Sequence, residues 1–180
     1  MRNQKSPFQL DVVSVRLVKD APIYSEHPIN DPEDVVALLG ECMCEMDREV
    51  VCVVNLKNDG KPINCHFASI GVLNQALIQP RELFKASILS NAASMILIHN
   101  HPSANLLPSK EDTMITDRIV KLGELMGIPL LDHVIVGGNN TEFFSFKEKK
   151  ILPIPKIVLQ SDYTMLDFKQ PLVAEKGRGR

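Results

Sequence analysis

The sequence predicts a mixed α/β domain followed by a C-terminal extension. Its 180 residues are enough for one domain of ordinary size and too few for two domains with a linker. Hydrophobic residues make up 44% of the chain and charged residues 23%, a composition that excludes collagen-like, coiled-coil, disordered and membrane proteins as descriptions of the whole chain. Strand-like runs lie between segments with helical spacing, and this order of elements predicts the fold class.

The first half of the chain carries the signals of a strand, a helix, a hairpin and a second helix. Asp31 and Pro32 are typical of a helix start, because aspartate caps free backbone N–H groups and proline suits the first turn. The tripeptide Asn58-Asp59-Gly60 predicts a tight turn between two strands. We therefore expect a strand at 11–18, a helix at 32–46, strands at 49–56 and 63–70, and a helix that opens at Pro80.

The second half predicts a central strand and a long helix. Residues 95–98 are entirely apolar, which favours a buried strand that ends at His99. Two prolines exclude a helix at 100–108, so we expect a loop there. Apolar residues recur at helical spacing after Ser109, and Gly127 is a natural stop. A strand at 130–136, a turn at 137–140 and a short strand at 143–146 follow.

The sequence predicts three parts of the chain, and charge separates the last part from the rest. We expect an N-terminal strand and link at 1–30, a metal-binding domain at 31–146 and a basic, poorly ordered tail at 147–180. The tail holds 8 basic and 4 acidic residues, which leaves 12 basic and 18 acidic residues before it. An acidic body does not attract phosphate backbones, so DNA binding through the body is not expected, although weak contact through the tail stays open.

Cellular location is predicted from what the sequence lacks. The first 20 residues show no apolar core or cleavage site of a signal peptide, and no stretch approaches 18 apolar residues, so no membrane partner is expected. The four cysteines lack the spacing of a zinc ribbon or a disulfide scaffold. Together these observations predict a cytoplasmic protein. They do not predict an oligomeric state.

One stretch of the sequence predicts a metal site. His99 and His101 stand at the end of a predicted strand, where residues i and i+2 project to the same face and can offer two imidazoles to one ion. Asp112 lies in the first turn of the next helix, and the intervening loop is long enough to bring its carboxylate back. Two histidines and one aspartate predict a single Zn²⁺ with a fourth position open to water.

Catalysis at such an ion requires a general base and an oxyanion donor. Glu49 is the candidate base, because it begins the buried strand, whereas Glu41 and Glu45 belong to the preceding helix. Ser109 is the candidate donor to a developing oxyanion. Ser109 and Asp112 also match a capping box, so helix capping is the alternative role for this pair.

The arrangement of an upstream Glu, His-x-His, seven residues and Ser-x-x-Asp resembles the JAMM motif of JAB/MPN-domain zinc metallopeptidases. The surrounding sequence is similar to the RadC branch over about residues 47–138, including DREVVCVVNLKNDG and QPRELFKASILSNAASMILIHNHPS. The resemblance implies a mixed sheet flanked by helices. It also implies that His99, His101 and Asp112 are zinc ligands. Glu49 would be the acid/base residue, and Ser109 the oxyanion donor.

Some residues differ from the family pattern, and others match it without an assigned role. Ala104 stands where the RadC branch usually has glycine, which affects the loop but removes no ligand. His133 matches a RadC-like Asp-His segment and has no assigned role. Longer members carry an N-terminal helix-hairpin-helix region that this sequence does not show, so a DNA-binding role tied to that region is not expected.

The function expected from the motif is zinc-dependent hydrolysis of an amide, peptide or isopeptide bond in a peptide or protein substrate. Two alternatives stay open. One is a non-catalytic binding module that retains zinc, and the other is an accessory protein in DNA repair or mobile-element maintenance, the role associated with the RadC name. Loss of amide hydrolysis in Glu49→Gln separates the enzyme from both alternatives.

Overall fold

The computed structural model describes residues 12–25, 28–70, 79–140 and 142–155. Three helices and five strands lie along this part of the chain. In order, they are α1 (Pro32–Cys44), β1 (Val50–Leu56), β2 (Pro62–Ile70), α2 (Pro80–Leu89), β3 (Ser94–His101), α3 (Lys110–Met126), β4 (Leu130–Gly137) and β5 (Phe143–Ser145). The predicted order of elements is confirmed from the first helix onwards.

The strands form one mixed sheet in the order β2-β1-β3-β4-β5. Only β3 and β4 run parallel, and the other three neighbouring pairs are antiparallel. Parallel neighbours need a crossover, and α3 supplies it. The mixed sheet flanked by helices that the family resemblance implies is therefore confirmed.

The sheet has a buried core on each face. Alternate residues of β1 such as Cys52 and Val54 pack with α1, whereas Val51 and Val53 pack with α2 and α3. Val51 pairs with His99 across the ladder between β1 and β3. Because paired residues lie on the same face of a sheet, the two histidines predicted as metal ligands belong to the face that α3 covers.

The predicted strand at 11–18 is wrong for residues 12–18, and residue 11 lies outside the described part of the chain. Residues 12–20 pair with no strand of the described sheet, and the side chains of Val12, Val13 and Val18 are 80% or more exposed. Alternating apolar residues form a strand only where a neighbouring strand and a covered face receive them. Neither is present for this segment among the described residues.

The predicted loop at 100–108 begins two residues too early. Asn100 and His101 continue β3, because they pair with Val136 and Gly137 of β4. The prolines that exclude a helix do not exclude the last pairs of a parallel ladder. The longer strand fixes the backbone of both histidines, which a mobile loop would not do.

The ends of the described region leave two predictions as they stand. Most of the predicted tail, residues 156–180, lies outside the described residues, and the domain bounds 1–30, 31–146 and 147–180 stay predictions. None of the helices that the structure describes has the length and apolar character needed to cross a membrane.

Ala104→Gly is expected to raise the free energy of unfolding by up to about 1 kcal/mol. Ala104 has a φ of 59°, in the left-handed region that costs an L-residue roughly 1–2 kcal/mol and glycine little, although the greater freedom of glycine in the unfolded chain offsets part of the gain. Ala93→Gly is the matched control, because Ala93 is outside the set of positive-φ residues and should lose stability. Chemical denaturation measures both, and a destabilised Ala104→Gly would contradict the prediction.

Candidate metal centre

Three side chains predicted as ligands converge where β3 meets the start of α3. His99 Nε2 lies 2.9 Å from His101 Nε2, 3.4 Å separates His99 Nε2 from one oxygen of Asp112, and 3.5 Å separates His101 Nε2 from the other. All the potential ligand atoms lie within 4.8 Å of one another. Each histidine is less than 10% exposed, while Asp112 faces the surface with 15% of its side chain exposed. The three side chains are therefore mostly buried, and Asp112 on the helix side is the most exposed of them.

The first turn of α3 holds Asp112 in place through a capping box with Ser109. Asp112 N–H donates to Ser109 Oγ over 3.0 Å, and Asp112 Oδ2 accepts from Ser109 N–H at 2.7 Å and from Ser109 Oγ at 2.6 Å. These bonds stabilise the helix start and orient the carboxylate at once. The capping role considered for the pair is present, and it leaves Oδ1 directed at His99.

The electrostatics of the centre favour an ionised aspartate beside one neutral histidine. Burial lowers the pKa of His99 to about 4, so its ring is neutral at physiological pH. The hydrogen bond with Asp112 raises the pKa of His101, burial opposes this, and the charge of Glu49 adds a smaller increase. Burial would raise the pKa of Asp112, but hydrogen bonds from His101 and Ser109 outweigh it and hold the pKa below its ordinary value.

The donor set fits a zinc ion. At zinc–ligand distances of 2.0–2.1 Å, two ligands of a tetrahedral site lie about 3.3 Å apart. The three separations between His99, His101 and Asp112 are 2.9, 3.4 and 3.5 Å, so small side-chain adjustments would suffice. His101 Nδ1–H donates to the carbonyl of Asn105 over 2.5 Å, which leaves Nε2 of that ring free to act as a ligand.

Glu49 lies beside these three residues but outside their group. It directly precedes β1 and is exposed. The ladder between β1 and β3 ends at the pair Val51–His99, so Glu49 lies just beyond it, close enough for its charge to raise the pKa of His101. A carboxylate in that position is close to the ligands without being one of them, as a general base must be.

Asn100, which has no role predicted from the sequence, holds the backbone on each side of Glu49. Its Oδ1 accepts from Val50 N–H at 2.7 Å, and its Nδ2 donates to the carbonyls of Arg48, at 3.0 Å, and Met46, at 3.5 Å. Strand alternation contains the missing signal, because the residue between two same-face histidines must point to the opposite face. There its amide ties β3 to the segment that leads into β1.

Asn100→Ala is expected to lower the free energy of unfolding of the metal-free protein by about 2 kcal/mol. The change leaves the buried Val50 N–H without its acceptor and the carbonyl of Arg48 without its donor. Urea denaturation in the presence of a chelator measures the effect free of metal binding. An unchanged midpoint would mean that water replaces the amide.

His133 is a second residue whose role the sequence left open. It is fully buried on β4, and its Nε2 lies 2.7 Å from His99 Nδ1. Its Nδ1 lies 2.6 Å from Thr116 Oγ1 of α3, and its ring stacks on Phe146 with centroids 5.0 Å apart. Burial lowers the pKa of His133 well below its ordinary value, so this ring is neutral as well.

Comparison with known proteins identifies the family. The model of the RadC-like JAB domain matches residues 29–151, which is more than half of the chain. The chain belongs to the RadC-like JAB domain family. The resemblance first seen in the His-x-His motif is thereby confirmed for the domain as a whole.

Relatives of the RadC-like domain come from several bacteria. A UPF0758 protein of Desulforamulus reducens is 44% identical over 124 residues, which is 69% of this chain and 54% of that protein. A UPF0758 protein of Caldanaerobacter subterraneus is 46% identical over 121 residues, or 67% of this chain and 51% of the relative. The chain therefore spans about half the length of the curated relatives it matches.

Proposed function

We propose that the RadC-like domain is a zinc-dependent hydrolase of the metallopeptidase type, which cleaves an amide, peptide or isopeptide bond. The observation that carries this proposal is the convergence of His99 Nε2, His101 Nε2 and the Asp112 carboxylate within 4.8 Å, in a group that is partly exposed at Asp112. Three protein ligands with an open side are typical of catalytic zinc, whereas structural zinc is closed by four.

The residues around the site divide the chemical work. A bound zinc ion supplies Lewis acidity and lowers the pKa of its water to about 7. Glu49, which is exposed and close enough for its charge to act on His101, accepts the proton of the attacking water and returns it to the departing amine. Without that return the amine would leave as an unstable anion, so one carboxylate serves both steps.

Ser109 is proposed as the hydrogen-bond donor to the oxyanion. Its side chain is exposed, and in the structure its hydroxyl donates to Asp112 Oδ2 over 2.6 Å. Donation to an oxyanion requires the hydroxyl hydrogen to turn away from Asp112. The backbone N–H of Ser109 keeps the carboxylate oriented during this change, because it donates to the same oxygen at 2.7 Å.

The partner we propose is a peptide or protein substrate. The 18 acidic and 12 basic residues of the first 146 do not favour a nucleic acid.

The compartment we propose is the cytoplasm. The four cysteines, all within the described residues, are free thiols, which suits a reducing compartment.

Metal analysis of the purified protein, paired with a peptide-library cleavage screen, tests the proposed function. We expect about one zinc ion per chain and cleavage that a chelator abolishes and added zinc restores. Zinc without cleavage of any library member would favour the non-catalytic binding module. A protein that neither carries zinc nor takes it up would overturn the proposal.

A further inference from the structure

A chain of buried hydrogen bonds leads from the backbone of α3 to the metal-site side of His99. Thr116 Oγ1 bonds to the carbonyl of Asp112 at 2.5 Å and to His133 Nδ1 at 2.6 Å, and His133 Nε2 bonds to His99 Nδ1 at 2.7 Å. Thr116 and His133 are fully buried, and His99 is 3% exposed. The chain ends at His99 Nε2, which faces His101 and Asp112.

The number of hydrogens on each group decides which atom donates in each of these hydrogen bonds. A hydroxyl has one hydrogen, and if Thr116 donates it to the carbonyl of Asp112, its oxygen must accept from His133 Nδ1–H. A neutral His133 then has a bare Nε2, which can only accept from His99 Nδ1–H. His99 in turn carries its hydrogen on Nδ1 and presents a lone pair on Nε2 to the site.

We propose that His133 and Thr116 are positioning residues, which hold His99 in the tautomer and ring orientation that a zinc ion requires. This inference rests on the proposed function and adds residues to its machinery. A metal-bound histidine commonly donates its other N–H to a carboxylate, a carbonyl or water, and such outer partners raise metal affinity. In this protein the acceptor is a second histidine, His133, which the hydroxyl of Thr116 orients in turn.

Packing alone does not explain the arrangement. The stack on Phe146 and the burial of the ring would be served equally by an aromatic residue without nitrogens. A buried imidazole without partners would leave two polar atoms unsatisfied, whereas both nitrogens of His133 have partners at 2.6 and 2.7 Å. Both partners lead to residues of the metal centre.

Thr116→Val and Thr116→Ser form a matched pair that tests the inference. Valine keeps the shape of threonine and removes the hydroxyl, whereas serine keeps the hydroxyl and removes a methyl group. We expect Thr116→Val to weaken zinc binding by about 10–100-fold and Thr116→Ser to bind zinc within about threefold of the natural protein. A purely structural role predicts the opposite order, because serine leaves the cavity.

Two measurements complete the test. Competition with a chromophoric chelator gives the zinc affinity of each protein, and ¹⁵N NMR of the imidazoles in the metal-free protein reports which ring nitrogen carries hydrogen. We expect His99 and His133 to carry it on Nδ1 in the natural protein and in Thr116→Ser. In Thr116→Val the ¹⁵N shifts of both rings should move towards a mixture of tautomers. His133→Phe, which retains the stack on Phe146, should weaken zinc binding at least as much.

The outcomes separate this inference from the proposed function. Equal zinc affinities for the valine and serine variants, or hydrogen on Nε2 of His99 in the natural protein, would overturn the inference and leave a zinc hydrolase possible. A natural protein that binds no zinc would overturn the proposed function. The NMR comparison of the metal-free variants would then still decide whether the threonine sets the tautomer of His99.

Discussion

Glu49→Gln is expected to lower kcat for amide hydrolysis by about 10²–10⁴-fold and to leave the zinc content unchanged. Glutamine keeps the size of the side chain and its hydrogen-bonding capacity but cannot take up a proton from water. Glu49 stands outside the three-residue ligand group, so its loss should not release the metal. Steady-state kinetics on a substrate from the library screen and metal analysis of the same sample measure the two effects.

Glu45→Gln is the matched control for this change. Glu45 is an exposed glutamate four residues earlier, at the C-cap of α1, and the same substitution there should leave kcat within about twofold. Loss of activity in Glu45→Gln instead would assign the base to Glu45. An active Glu49→Gln protein would remove the acid/base role from Glu49, and zinc loss in that variant would make it a ligand.

Local sequence patterns predicted most of the fold because each pattern has one dominant cause. The Asn-Asp-Gly turn ends at Gly60, whose φ of 76° suits glycine, so the hairpin follows from three residues. Ser109 and Gly127 bound α3 as a cap and a left-handed stop, as the sequence predicts. The failure at 12–18 has the opposite cause, because a strand there depends on a distant partner that the local pattern does not specify.

The candidate site was predictable where its geometry is local and hidden where it depends on pairing between strands. His99 and His101 share a face through strand alternation alone. The contacts of Asn100 with the segment before β1, and of His133 with His99, depend on the register of β3 with β1 and β4. No single stretch of sequence contains that register, so the contacts of both residues emerged only with the fold.

Asp112→Asn is expected to weaken zinc binding by more than about 100-fold, beyond the range typical of residues that act through a ligand. The asparagine fits the same space, but its amide is a poor zinc ligand compared with a carboxylate, so two histidines remain. It also places an NH₂ group or a neutral oxygen where His101 now meets an ionised carboxylate at 3.5 Å. Competition with a chelator measures the affinity, and circular dichroism checks that the helix content of the protein is unchanged.

Two control variants separate ligation from charge and from helix capping. Asp117→Asn removes the same charge from the outer face of α3, where Asp117 pairs with Lys121 at 2.7 Å, and should leave zinc affinity unchanged. Ser109→Ala removes the cap, which should lower the free energy of unfolding by about 1 kcal/mol and reduce zinc affinity much less than Asp112→Asn does. If Ser109→Ala lost as much affinity as Asp112→Asn, the carboxylate would matter chiefly through the helix start. If Asp117→Asn did so, the net charge of α3 would control binding. Loss confined to Asp112 would support its carboxylate as the third ligand, and a zinc ion held by three protein ligands would keep a fourth position for water.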